Sequence, residues 1–175
     1  INSYTIENNS NLNRFSGSDK LDNSKRLDLS LNIKNEILSG TFSSTYEFTD
    51  NSNYHYSQGN DKKLSDFLGD LNLTKEKYET SYNFRFDPHN NYMKNQSIQI
   101  SNENNLGSYK ISYLDQKSKS EDIIVSDKES LNYRFDSKKI FKYSKISYFG
   151  LYDIKKSINT ESGLSYSYFD ECFGV

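Results

Sequence analysis

The sequence predicts an all-β chain built as one long antiparallel meander. Three observations predict it. Apolar residues recur with a period of two in segment after segment. The chain carries 15% aromatic residues (15 Tyr and 11 Phe) with no Trp and one Pro, at a mean hydropathy of −0.91. Connections of unequal length separate the alternating segments. Aromatic and β-branched residues favour strands, and a disordered chain would be poor in both. The absence of Ala and the abundance of Ser (28) and Asn (21) argue against helices.

The segments follow in order. Leu27, Leu29, Leu31 and Ile33 alternate with Asp28, Ser30, Asn32 and Lys34, which puts one face in an apolar medium and the other in water. Phe42, Tyr46 and Phe48 oppose Thr41, Ser43, Thr45 and Glu47. Phe67, Leu71 and Leu73 oppose Asp66, Asp70 and Asn72. Tyr78, Thr80, Tyr82, Phe84 and Phe86 oppose Glu79, Ser81, Asn83, Arg85 and Asp87. Ile98 and Ile100 come next, then Tyr109, Ile111 and Tyr113, then Leu131, Tyr133 and Phe135. Ile146, Tyr148 and Tyr152 precede the last set, Leu164, Tyr166 and Tyr168. In all, about ten strands are expected, most near the roughly 9–11 residues of a tilted membrane-spanning strand. No 3.6-residue period lies between them, so no crossover helix makes the sheet parallel.

The connections are expected at 9–25 (long), 38–40 (short), 51–63 (long), Lys75-Glu76 (short), 88–92 (intermediate) and Asn104-Asn105 (short). Further on come 116–126 (longer), Asp136-Ser137-Lys138 (short), 154–157 (short) and 169–171 (short). Long loops on one side and short turns on the other is the habit of outer-membrane barrels. A soluble β-sandwich also alternates, so periodicity alone leaves both architectures open.

Charge excludes some functions. Twenty-two basic and 24 acidic residues are interleaved, for a net charge of −2, so no basic footprint suggests nucleic acid. No apolar run approaches the roughly 20 residues of a membrane helix. The 175 residues are expected to be a piece of a longer protein. Lys outnumbers Arg 18 to 4, as an AT-rich genome would produce. Neither His55 nor His89 has zinc-ligand spacing. Asp50-Asn51-Ser52-Asn53 lacks the later Gly and Glu positions of a calcium loop. No Ser and His pair with the geometry of a barrel lipase can be defended, and no metal or cofactor is implied.

Two stretches carry a resemblance. One is Asn13-Arg14-Phe15-Ser16-Gly17-Ser18-Asp19-Lys20, followed by Asp22-Asn23-Ser24-Lys25-Arg26 and a strand. The other is Gly163-Leu164-Ser165-Tyr166-Ser167-Tyr168-Phe169-Asp170-Glu171-Cys172-Phe173. The first resembles a loop of the lipopolysaccharide-assembly outer-membrane family LptD (the organic-solvent-tolerance proteins). The second is similar to that family's segment near the barrel C-terminus, where an acidic pair precedes a cysteine. Ser18 and Lys20 depart from the family's usual residues, and Phe173 stands where some members have a second cysteine.

The resemblance implies that residues 1–175 are a fragment of the C-terminal β-barrel domain, part of a large transmembrane barrel, with the N-terminal periplasmic domain and the remaining strands absent. It implies transport without covalent chemistry: insertion of lipopolysaccharide into the outer leaflet of the Gram-negative outer membrane. The implied partners are lipopolysaccharide, outer-membrane lipids, an LptE-like plug lipoprotein and a periplasmic bridge protein reached through the missing domain. Cys172 is implied to lie on the periplasmic side and to pair with that domain, and strand counting from 9–25 as an outside loop gives the same side. The loop Asn13, Arg14, Phe15, Ser16, Gly17, Asp19 and Lys20 is the family-motif loop. The candidates for the lumen are Asp28, Lys34, Glu79, Asn83, Arg85, Asn132, Arg134 and Lys145. The alternatives are another outer-membrane barrel, porin or receptor, and a soluble β-rich surface or adhesin module.

Overall fold

The computed structural model describes residues 25–49, 62–120, 123–138 and 143–168. Nine strands form one sheet in chain order: β1 (Arg26–Lys34), β2 (Leu38–Glu47), β3 (Phe67–Lys75), β4 (Tyr78–Asp87), β5 (Tyr92–Glu103), β6 (Gly107–Ser120), β7 (Ile123–Ser137), β8 (Ser144–Asp153) and β9 (Ile158–Tyr168). Every neighbouring pair is antiparallel. Among the described residues there is no helix, and β1 and β9 remain unpaired edges. The nine alternating segments read from the sequence fall one in each strand.

Three expected turns lie elsewhere. Residues 38–40 belong to β2, and the turn is 35–37. The Asn35 side-chain oxygen accepts from the amides of Ile37 (2.9 Å) and Leu38 (2.6 Å) and fixes it there. The same device recurs at Asn104, which accepts from Leu106 (2.8 Å) and Gly107 (3.2 Å). Gly40 is a strand residue, registered with Ile33 and Leu71, and the Leu71 side chain occupies the space a Cβ there would need. The expected loop 116–126 is mostly strand, since β6 runs to Ser120 and β7 starts at Ile123. A ladder needs backbone partners rather than apolar side chains, so this polar ribbon continues the hairpin. Asp136 and Ser137 end β7, and the connection there is 138–143.

Turns 35–37, 76–77 and 104–106 share one rim with the end of β7 and the start of β8; turns 88–91 and 154–157 share the other with the end of β2, the start of β3, the end of β6 and the start of β7. Between described strands, the length asymmetry rests on 48–66. The chain enters β1 at the long-connection rim and leaves β9 at the short-turn rim.

The strands are staggered in one direction. Registered partners run from Ile33 through Gly40, Leu71, Tyr82, Ile98, Tyr113, Leu131 and Tyr152 to Asn159. That line starts near the end of β1 and finishes near the start of β9. Strand centres therefore slide about seven residues over eight steps. At roughly 3.3 Å per residue and 4.8 Å between strands, the tilt is about 30°, near the roughly 35–45° of closed barrels.

Burial is inverted relative to a soluble domain. Among the described residues Leu68, 5% exposed, is the one buried apolar side chain, whereas ten polar or charged residues are buried. Leu29, Leu31, Ile111 and Leu164 are well exposed, Leu164 at 74%.

Candidate functional site

Registered partners share a face, so the ladders sort every side chain. Asp28 pairs with Thr45, and Lys34 with Ser39. Asp70 pairs with Asn83 and Leu68 with Arg85. Glu79 pairs with Ser101, Ser101 with Lys110 and Lys110 with Arg134. Asn132 pairs with Leu151, and Lys145 with Ser167. Followed across the sheet, Asp28, Lys34, Glu79, Asn83, Arg85, Asn132, Arg134 and Lys145 all lie on one face. The alternation that selected them survives the assembled register. They are not one cluster, being spread over β1, β4, β7 and β8.

Two shallow hollows gather some of them. One, of about 570 Å³, brings Glu79 and Arg134 beside Ser101, Lys110, Asp136 and Lys138. The other, of about 360 Å³, brings Asn132 and Arg134 beside Gln99, Ser112 and Glu161. Arg134 grips Asp136 through two hydrogen bonds, 2.6 and 2.9 Å. At the first strand, Thr45 donates to Asp28 (2.6 Å), and Arg26 donates to the same carboxylate (3.1 Å).

The strongest electrostatic feature of this face was not among the sequence candidates as a group. Asp66, 2% exposed, takes 2.6 Å from Arg85 and 3.0 Å from Lys94. Lys94 also reaches Asp87 at 3.0 Å. Asp87 caps the 88–91 turn, accepting from the amides of His89 (2.9 Å) and Asn90 (3.1 Å), and His89 contacts the Leu64 carbonyl at 2.8 Å. The two carboxylates and two cations balance, as buried charges must. Arg85 and Asp66 were each legible on the polar face. Lys94 was not, because a bulge opposite Arg85 and Phe86 re-aims it.

The other face is apolar over most of its area and is paved by aromatic rings. Phe42 and Phe84 meet across Gly69 with centroids 6.1 Å apart, and Tyr82 lies 5.7 Å from Phe84. A Cβ on Gly69 would fall inside the Phe84 ring, and one on Gly150 against Tyr133. Tyr109 and Phe135 approach to 4.9 Å. Near the long-connection rim the face turns polar. Gln96 donates to Asp115 (3.0 Å), Lys117 contacts Asp115 (3.1 Å) and Tyr113 donates to Glu129 (2.8 Å). Lys155 contacts Asp127 (3.2 Å) and Glu129 (3.3 Å), and hydrogen bonds to those two carboxylates raise its pKa.

No protein-family model matches the chain, and no curated protein matches it. Among the described residues no group of His, Cys, Asp and Glu could hold a metal ion, and no helix is long and apolar enough to cross a membrane, which says nothing of strands. One face offers hydrogen bonds and paired charges, the other an apolar pavement. Cys172, His55 and the family-motif loop Asn13 to Lys20 lie outside the described residues.

Proposed function

We propose that this chain is a stretch of barrel wall from an LptD-like outer-membrane translocon, which moves lipopolysaccharide into the outer leaflet. The observation that carries the membrane half of the reading is the inverted burial, with polar side chains buried and large apolar ones exposed over most of one sheet face. Water penalises such a face at roughly 25 cal/mol per Å²; acyl chains do not. Aromatic side chains near both ends of the strands, Tyr46, Phe67 and Phe86 at one rim and Tyr78, Tyr109 and Tyr168 at the other, suit the interfacial girdles of such barrels. The Asn13–Lys20 and Gly163–Phe173 stretches carry the family half.

On this reading the polar face lines the lumen, where Glu79, Arg134 and their neighbours meet water and the sugars and phosphates of the lipid. The partners are an LptE-like plug lipoprotein and a periplasmic bridge protein reached through an N-terminal domain. Cys172 pairs with that domain on the periplasmic side. The test is depletion of the full-length protein with measurement of surface lipopolysaccharide. We expect the surface pool to fall while lipopolysaccharide accumulates behind the outer membrane; an unchanged surface pool sinks the proposal. On non-reducing gels, Cys172→Ser in the full-length protein is expected to abolish one fast-migrating oxidised form.

One observation favours a second reading. The apolar face of β4 runs from Tyr78 to Phe86, about 27 Å along the strand, but β5 presents Ile98 and Ile100 between Gln96 and Asn102. A soluble β-rich module with this face covered by protein would not need a band of constant height. Extraction of the full-length protein into buffer without detergent would select that reading.

A further inference from the structure

The boundary of the apolar face does not follow the hydrogen-bonded rows. One row of registered partners reads Leu31, Phe42, Gly69, Phe84, Gln96, Asp115 and Glu129. It is apolar or small on β1 to β4 and polar on β5 to β7. A row nearer the short-turn rim reads Lys75, Tyr78, Asn102, Tyr109, Phe135, Tyr148 and Leu164. It is polar at β3 and β5 and apolar without interruption from β6 to β9. The row between them that holds Ile33, Leu71, Tyr82, Ile98, Tyr113 and Leu131 is apolar over nearly its whole length. The apolar band therefore slides toward the short-turn rim from β1 to β9, in the same sense and at about the same rate as the strand centres.

A flat slab cutting tilted strands produces this pattern. Strands tilted by about 30° cross a plane at successively later rows, so the edge of the band runs oblique to the rows and parallel to the membrane surface. Just beyond that edge stand Asp115, Asp127 and Glu129 with Lys117 and Lys155, ion-paired at 3.1–3.3 Å. Three carboxylates and two ammonium groups side by side complement a headgroup layer that itself carries phosphates and cations.

We infer, resting on the membrane reading above, that bilayer acyl chains cover the band and that the bilayer surface crosses one hydrogen-bonded row between Phe84 and Gln96. Phe84 lies among acyl chains and Gln96, its registered partner, among headgroups.

The chain has no Trp, so single tryptophans report depth in a full-length protein otherwise cleared of them. The protein is reconstituted into phosphatidylcholine vesicles brominated at mid-chain, and fluorescence quenching is compared with that in unbrominated vesicles. Phe84→Trp and Ile111→Trp are expected to be quenched several-fold more than Gln96→Trp and Glu129→Trp, with Ser112→Trp on the polar face unquenched. Tyr82→Trp replaces Phe84→Trp if the latter fails to fold. Equal quenching at Gln96 and Phe84 would overturn the oblique boundary and leave the membrane reading standing. No quenching at Phe84, Tyr82 or Ile111 in folded protein would overturn the membrane reading itself.

Discussion

Two residues carry unusual weight. Asp66 is almost wholly buried and holds Arg85 and Lys94 together. Removing Asp66 takes a carboxylate from Arg85 and leaves Lys94 with Asp87, one carboxylate for two buried cations, at a cost of about 3 kcal/mol. Asp66→Ala in the full-length protein is expected to lower the urea midpoint by a corresponding amount, and Asp66→Glu to recover part of it. An unchanged midpoint would mean that water already satisfies Arg85 and Lys94. Gly69 is the second. It leaves the space into which Phe84 folds so that Phe42 and Phe84 meet over β3. Gly69→Ala must displace an aromatic ring, an overpacking penalty of about 1–3 kcal/mol. The same substitution at a site with open space would cost far less. A circular-dichroism melt of the detergent-solubilised protein checks it.

At the scale of strands, opposite faces predict opposite responses. Ile111 and Ser112 are neighbours in β6 and point to different faces. On the proposed membrane reading, Ile111→Arg places a charge on the lipid-covered face, at a cost of about 2–4 kcal/mol near mid-membrane. Ser112→Arg joins Lys110 and Arg134 on the polar face and is expected to be tolerated. On that reading, the measurement is the amount of heat-modifiable, folded protein recovered in the outer-membrane fraction, which should fall for the first variant alone. The strands were legible because period-two alternation survives wherever one face meets an apolar medium, so each of the nine segments found its strand. Turns were less legible. Ser39-Gly40 looks like a turn by composition, yet Asn35 makes the turn and Leu71 claims the space over Gly40. The stretch after Gln116 looks like a loop because its polar residues carry no alternation, yet its backbone pairs as far as Ser120. The site was legible in the same uneven way. All eight polar-face candidates were found by alternation. Lys94, placed by a bulge, and Gln96, Asp115 and Glu129 on the mainly apolar face broke the alternation and so gave no signal.

For the whole molecule, the sheet leaves an apolar face open and two edges unpaired among the described residues. Backbone groups along an open edge and a bare apolar face both invite association. On the proposed barrel reading, residues 1–175 expressed alone in buffer are expected to aggregate or stay unfolded and to need detergent or further strands to become ordered. Size-exclusion chromatography with circular dichroism decides the matter. A monomeric, folded product without detergent would sink the membrane reading.

The number of strands has a consequence of its own. Nine antiparallel neighbours in chain order mean that the first and last strands point the same way. The two edges are therefore of like polarity and cannot zip to one another except in parallel. Two copies set side by side around a common axis would meet with the same mismatch. Turning one copy over would restore antiparallel pairing but send its long-connection rim to the opposite side. An all-antiparallel closed wall thus needs an odd number of additional strands, each end of that set running counter to β1 and β9. Such a set would hold one more strand running against β1 than with it, because five of the nine strands already run with β1 and four against it.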